Sequence, residues 1–359
     1  MSSMIGNRLK LSIFGESHGR AIGCVVDGLP AGEWIDAGQL MQQMRRRAPG
    51  QDPAATARKE EDILRILSGV MDGVTTGAPV CCVIDNQDPH SADYAALADT
   101  PRPGHADYPA AVRYDGFADM RGGGHFSGRL TAPMVFAGAL CRQILRSRGV
   151  VVGGHLAQIA GIDDTPIDPM TVTGAQLEEL SAQPFPLLCP AHEKTMRAAI
   201  AQAAAAQDSV GGILEVAATG MPCGVGNPIF DGIENRLAAL FFGIPGVKGV
   251  SFGDGFALAG MRGSEANDPY QMHDGRIVTE SNHNGGLLGG LTNGMPITAR
   301  LAVKPTPSIG REQRTVSLEK GENTTIRITG RHDPCIALRA LPVAEALMAF
   351  GLLDVLLEG

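Results

Sequence analysis

Gly73-Val74-Thr75-Thr76-Gly77-Ala78-Pro79-Val80 returns as Gly290-Leu291-Thr292-Asn293-Gly294-Met295-Pro296-Ile297, 217 residues later. An earlier stretch, Gly28-Leu29-Pro30-Ala31-Gly32, returns 192 residues on as Gly220-Met221-Pro222-Cys223-Gly224, and the two pairs keep their order. A third pair matches the helix opening after Arg129 with the one after Arg339, at an offset of roughly 209, each with a proline followed by Ala-rich apolar sequence. Repetition at about half the chain length marks a duplicated unit. No Ser/Pro-rich linker separates the halves. The sequence therefore predicts a single domain over 1–359 made of two intertwined repeats, roughly 1–150 and 205–359, related by a pseudo-two-fold.

Outward from these turns, short apolar runs at Leu11 to Phe14, Gly23 to Val26, Pro79 to Ile84, Ile213 to Ala217, Ile297 to Val303 and Thr324 to Ile328 read as strands. Asp36 is placed to cap a helix that carries Leu40, Met41 and Met44 on one face and ends in Arg45-Arg46-Arg47 before Pro49-Gly50. Further helices are expected from Thr131 to Gly149, from about Glu193 to Gln207, and from Asp231, where Glu234 completes a capping pattern. The class is mixed, α+β.

The totals narrow the chemistry. A net charge of -8 argues against a broad nucleic-acid surface, which needs a basic face, so anionic ligands require a local basic pocket. The cations are 24 Arg and 6 Lys, mainly planar forks suited to carboxylate and phosphate. Seven cysteines, an odd count without a CxxC pair, point to buried thiols in a reducing compartment, and a cytoplasmic location is expected. No apolar run of about 18 residues appears, so no membrane span is expected.

Three loops bounded by Gly and Pro concentrate titratable groups: Gly15-Glu16-Ser17-His18-Gly19, Arg102-Pro103-Gly104-His105-Ala106-Asp107 and Arg331-His332-Asp333-Pro334-Cys335. Each alone reads as a capped turn with a solvated histidine; together they suggest one assembled site. The first fits the G-x-S-x-G nucleophile elbow, which would make Ser17 the nucleophile of a hydrolase, although it follows a single short strand at the start of the chain. The alternative makes Ser17 and His18 polar site residues, with His18 able to move a proton near neutral pH. Arg121-Gly122-Gly123-Gly124-His125-Phe126-Ser127-Gly128-Arg129 precedes a helix, so its amides and Arg129 can converge on an anion. Ser281-Asn282-His283-Asn284-Gly285-Gly286 and Lys304-Pro305-Thr306-Pro307-Ser308 repeat the ingredients of a phosphate site. Neither Walker A nor Rossmann spacing is present, and none of the nine histidines falls in a zinc pattern, so no metal is expected.

These stretches, with GVKGVSFGDGF at 246 to 256, make the chain resemble chorismate synthases from Gly6 to about Leu357. That resemblance implies a lyase performing 1,4-anti elimination of phosphate from 5-enolpyruvylshikimate 3-phosphate, with reduced FMN required but not consumed. It implies a β-α-β sandwich and a homotetramer. His18 would serve the departing phosphate, His105 the N1 side of the flavin, and Asp333 a proton at flavin N5, with Ser17 and Ser127 as polar supports. Substrate anions would meet Arg46, Arg47, Arg102, Arg129 and Arg331. The flavin would meet His125, Phe126, Ser127, Gly246, Gly289, Lys304, Pro305, Thr306, Pro307, Ser308 and Arg331. Many members of the family read R-G-G-G-R-x-S-A-R-E-T where this chain has His125, Gly128 and Leu130, and Gln51-Asp52-Pro53 stands where a further Arg is common. No nicotinamide site is recognisable, so reduced flavin is expected from an external reductase. A flavin-binding carrier is the non-enzyme alternative.

Overall fold

The computed structural model describes residues 3–50, 62–86, 99–328 and 332–358. A first antiparallel sheet runs in the order β1 (Met4–Ile5), β2 (Lys10–Gly15), β3 (Ala21–Asp27), β7 (Val80–Asp85), β4 (Leu64–Ser68), and the hairpin of β5 (Val70–Met71) and β6 (Val74–Thr75) sits between β4 and β7 in the chain. The period-two pattern is literal here: Ile22, Cys24 and Val26 are fully buried and lie in register with the equally buried Ile84, Cys82 and Val80. A second antiparallel sheet has the order β11 (Val247–Phe252), β16 (Ile297–Val303), β10 (Gly212–Thr219), β8 (Val151–Ile159), β9 (Ile162–Asp163). Three further hairpins form sheets of their own: β12 (Tyr270–His273) with β13 (Arg276–Thr279), β14 (Leu287–Leu288) with β15 (Leu291–Thr292), and β17 (Gln313–Ser317) with β18 (Glu322–Ile326).

The described residues form eight α-helices. They are α1 (Ala37–Arg47), α2 (Asp107–Arg113), α3 (Thr131–Ser147), α4 (Gly174–Ala182), α5 (Glu193–Ala205), α6 (Ile233–Phe242), α7 (Gly263–Ala266) and α8 (Ala337–Leu356). α3 packs on the first sheet, α8 on the second, and α3 and α8 against each other, while α1 and α6 also contact α8. The architecture is therefore sheet, helical layer, sheet. Apart from Arg339 and Leu356, every residue of α8 is buried, as an apolar helix enclosed on all sides requires. The α3–α8 approach is close enough that a Cβ on Gly138 would lie 2.3 Å from Ala346 Cβ.

The matched turns occupy corresponding places. β3 pairs with β7 in one sheet and β10 with β16 in the other. Thr75 Oγ1 donates to the Pro30 carbonyl at 2.6 Å, and Thr292 Oγ1 to that of Pro222 at 2.5 Å. The amide of Gly32 donates to Thr75 and that of Gly224 to Thr292, each at 2.8 Å.

Asp36 caps α1 as expected, accepting from the amides of Gly38 and Gln39. Asp231 does not cap α6. That helix begins at Ile233 behind Gly232, and Asp231 is drawn instead into an ion pair with the Arg236 fork. The last strand lies at Glu322–Ile326, ending short of Ile328. At the other end of α8, Asp354 accepts the amides of Leu9 at 2.6 Å and Asn7 at 3.0 Å, clasping the start of the first sheet.

Candidate active site

Gly15 (φ +97°) ends β2 and a tight turn leads back into β3 as an antiparallel partner. A nucleophile elbow needs a strand followed by a helix, so the hydrolase reading of Ser17 loses its structural context. The turn instead presents Ser17 and His18, both buried, to a glycine loop. Gly122, Gly123 and Gly124 have φ of +61°, +89° and +54°, conformations that side-chain-bearing residues resist. Their bareness also lets the chain close in: a Cβ on Gly122 would stand 2.3 Å from the His18 ring, and one on Gly123 3.2 Å from the His105 ring. The Gly124 carbonyl accepts the Ser17 amide at 3.1 Å. This loop thus packs its backbone against both imidazoles.

His105 is oriented by Asp107. Nδ1 lies 2.6 Å from Asp107 Oδ1, and because that carboxylate only accepts, Nδ1 carries the proton. Arg102 grips the same carboxylate from Nε at 2.7 Å and Nη2 at 2.8 Å, and its Nη1 donates to Ser308 Oγ at 3.3 Å. Burial alone would raise the Asp107 pKa; the hydrogen bonds from Arg102 and His105 win and hold it well below the usual carboxylate range. Arg102 is therefore chiefly a brace for the His105 unit.

Arg47 and Arg129 share a second buried carboxylate, Asp62. Arg47 Nη1 donates to Asp62 Oδ2 at 2.8 Å and its Nε to Thr131 Oγ1 at 3.1 Å, while Arg129 pairs with Asp62 Oδ1 and donates from Nε to Asn86 at 3.1 Å. Burial pushes the Arg47 guanidinium down to about 10. The Asp62 carboxyl, opposed by burial, is still held below its ordinary value by Arg47 and Arg129. Ser127 Oγ caps the turn into α3 by accepting the Arg129 amide at 3.2 Å.

Ser17, His18, Arg47, Arg102, His105, Ser127 and Arg129 line a cleft of about 740 Å³ that also takes in Lys248, Lys304, Thr306, Asp333 and Arg339, with Phe242, Ile244, Ile336 and Val343 as an apolar patch. Gly246, Phe126, Pro307 and Ser308 lie on its wall as well. Among the described residues Asp333 is the one carboxylate in the lining, so the pocket is basic inside an acidic chain. Thr306 Oγ1 and His332 Nε2 are buried polar atoms without hydrogen-bond partners among the described residues. Burial, helped by the charge of Arg102, lowers the His332 pKa, so that ring is neutral near pH 7.

Other expected residues lie elsewhere or are already engaged. Arg46 turns away from the cleft to the buried Glu345, which Arg142 also pairs. Gly289 sits in the exposed β14–β15 turn and Pro305 points toward Gly211, both outside the lining. His125 borders the cleft, but its Nδ1 donates to the Gly15 carbonyl at 2.8 Å and its Nε2 faces Ser3 Oγ at 2.9 Å. That makes it a brace, with no ring nitrogen left for a phosphate. The Ser281 to Gly286 loop holds no anion site, because Asp268 already accepts the amides of His283 and Asn284. Arg331 and Gln51 to Pro53 fall outside the described residues. Two cations of the lining, Arg339 and Lys248, lie outside the residues expected from sequence, although the match between the openings after Arg129 and Arg339 signals the first.

A basic, partly apolar cleft holding unsatisfied polar atoms fits a planar polar ring that carries phosphate. A sequence model of the family described as chorismate synthase matches residues 9–357. The chain is 46% identical over 357 residues to a chorismate synthase of Thermococcus kodakarensis, covering 99% of this chain and 98% of that protein. It is 43% identical over 362 residues to one from Dehalococcoides mccartyi, covering 100% and 97%. A solved structure described as a crystal structure of chorismate synthase aligns with a TM-score of 0.78 at 27% identity, covering 99% of this chain and 93% of the other.

Proposed function

Because the chain belongs to the chorismate synthase family, we propose that it eliminates phosphate from 5-enolpyruvylshikimate 3-phosphate to give chorismate, with reduced FMN required and not consumed. The observation that carries this reading is the convergence of His18, His105 and Asp333, from three separated motifs, on one basic cleft. In the reaction the allylic C–O bond to phosphate breaks, a ring proton leaves and a conjugated double bond forms. When bound, reduced FMN supplies electron density that the reaction returns. Arg47 and Arg129, pre-set on Asp62, and Lys304 stabilise anionic oxygens as charge develops on the phosphate. His18, packed on Gly122, serves the departing phosphate. His105, its Nδ1 proton directed to Asp107, would present Nε2 to the flavin on its N1 side, and Asp333, on the same cleft wall, would hold a proton for N5. Thr306 Oγ1 and His332 Nε2 are available to the flavin ring.

The same reading makes the protein a carbon-oxygen lyase of aromatic amino acid biosynthesis and a homotetramer, the latter supported by the exposed Phe117, Phe230 and Phe256. A cytoplasmic setting is supported by the seven cysteines, all of them free thiols, as a reducing compartment keeps them. The matched turns of the two sheets support one domain of two intertwined repeats, 1–150 and 205–359. An external reductase supplies the flavin; FMN reduction by NADPH with the purified protein alone would contradict that. For the function itself, substrate with photoreduced FMN under anaerobic conditions yields chorismate absorbance, and oxidised FMN yields none. Absence of product in the first arm rejects the elimination, and equal product in both rejects the flavin requirement.

A further inference from the structure

α8 opens on the cleft with Arg339, which lines the wall and has a side chain 20% exposed. Its guanidinium is held from two directions. Nε donates to the Arg47 carbonyl at 3.0 Å, just where α1 ends, and Nη1 donates to the Asp333 carboxylate. Nη2 makes no hydrogen bond within the described residues. A guanidinium is planar, so pinning two nitrogens also fixes the direction of the third. The remaining N–H groups are thus pre-aimed rather than mobile.

By position Arg339 repeats Arg129. Each stands at the opening of the long helix of its half, the two helices pack on each other, and each guanidinium pairs with one carboxylate, Asp62 or Asp333. The clamps meet at Arg47, whose side chain shares Asp62 with Arg129 and whose carbonyl is taken by Arg339. Two guanidiniums with the same placement thereby flank one cleft. We propose that Arg339 is a substrate-binding residue: Nη2 receives an anionic oxygen of the phosphorylated substrate while Nη1 holds Asp333 in the cleft. This inference rests on the elimination proposed above. One planar group then couples arrival of the anion to placement of Asp333, which an ammonium cannot do from a single point.

The test uses the full-length protein, with 5-enolpyruvylshikimate 3-phosphate binding measured calorimetrically without flavin and turnover measured anaerobically with reduced FMN. Arg339→Ala is expected to bind substrate about 10- to 100-fold more weakly, the range for a lost charge-assisted hydrogen bond, and to lose turnover as well. Millimolar guanidinium ion is expected to restore part of that turnover. Arg339→Lys keeps charge and stem, so it regains affinity more than kcat, a split that a merely structural role would not produce. A folded Arg339→Ala that binds substrate within about twofold of wild type overturns the proposal, the loss falling below the range of that bond. Should Arg339→Ala fail to fold, Arg339→Lys decides, and unchanged affinity and kcat in that variant overturn it. Wild type that binds substrate yet makes no chorismate refutes the elimination alone, since the binding comparison still decides Arg339.

Discussion

Asp107 accepts on all sides: both oxygens take hydrogen bonds, from Arg102 and from His105. In Asp107→Asn the new amide offers a donor where His105 Nδ1 already donates, so the imidazole turns or changes tautomer. We expect kcat for chorismate formation to fall about 100-fold or more, within the span of a misplaced proton-transfer group, as read by anaerobic steady-state assay. Stability should follow the same carboxylate. Its folded pKa is depressed, so its contribution is complete above about pH 3.9 and fades as pH drops toward the folded value. Urea midpoints of wild type and Asp107→Asn therefore converge in acid; a gap that widens there would refute the assignment. His18, His105 and Asp333 were legible in the sequence because each sits in an ordered motif. The run Arg45-Arg46-Arg47 announced cations but not directions. Successive helical residues point about 100° apart, so Arg47 reaches the cleft while Arg46 is carried round to Glu345.

Elements, more than single side chains, decide two further properties. In the glycine loop Gly123→Ala puts a methyl 3.2 Å from the His105 ring at φ +89°, a conformation costing an L residue about 1–2 kcal/mol. A drop of a few degrees in Tm and a loss of turnover much larger than that drop implies are expected from calorimetry and assay of this variant. In the second sheet, register brings His155 opposite Glu215 and Glu215 opposite Arg300. His155, wholly buried, has Nδ1 3.0 Å from Asp164 and Nε2 2.8 Å from Glu215; His192 also faces Asp164 at 3.0 Å, and Arg300 lies 3.9 Å from Glu215. Burial favours the neutral ring, but the bonds to Asp164 and Glu215 prevail and raise the His155 pKa. A raised folded pKa means stability that is complete below about pH 6.5 and lost as pH climbs through the folded value. The urea midpoint should decline on the alkaline side, and His155→Gln should flatten that slope and cost about 3 kcal/mol by leaving carboxylates buried without their cation. A slope unchanged by the substitution would remove His155 as its origin. Nothing in the sequence marked this cluster, because its members share no motif: strand register brings His155, Glu215 and Arg300 together, and Asp164 and His192 reach it from outside the strands.

At the scale of the molecule α3 and α8 pack on each other between the two sheets. Gly138→Ala meets Ala346 at 2.3 Å, and overpacking of this kind typically costs about 1–3 kcal/mol. Since both sheets depend on that contact, calorimetry should show one cooperative transition moved to lower temperature; two separated transitions would argue for independent halves. The likeness of the matched turns was legible because they reuse the same residues for the same bonds, as Thr75 and Thr292 do. In the excursion between the repeats the helix from about Glu193 was legible and is α5, whereas β8, which runs apolar without alternation, and α4, marked only by its Thr173 and Gln176 capping box, were not.

The grip of Asp354 on the amides of Leu9 and Asn7 also sets a schedule. Those partners are separated by 345 and 347 residues, so the edge of the first sheet leaves the ribosome long before the group that ties it down exists. Contacts this distant in sequence slow folding, and the waiting strand edge is open to wrong partners in the meantime. A nascent chain arrested before residue 354 should accordingly bind chaperone and resist protease poorly, acquiring protection only once α8 has emerged.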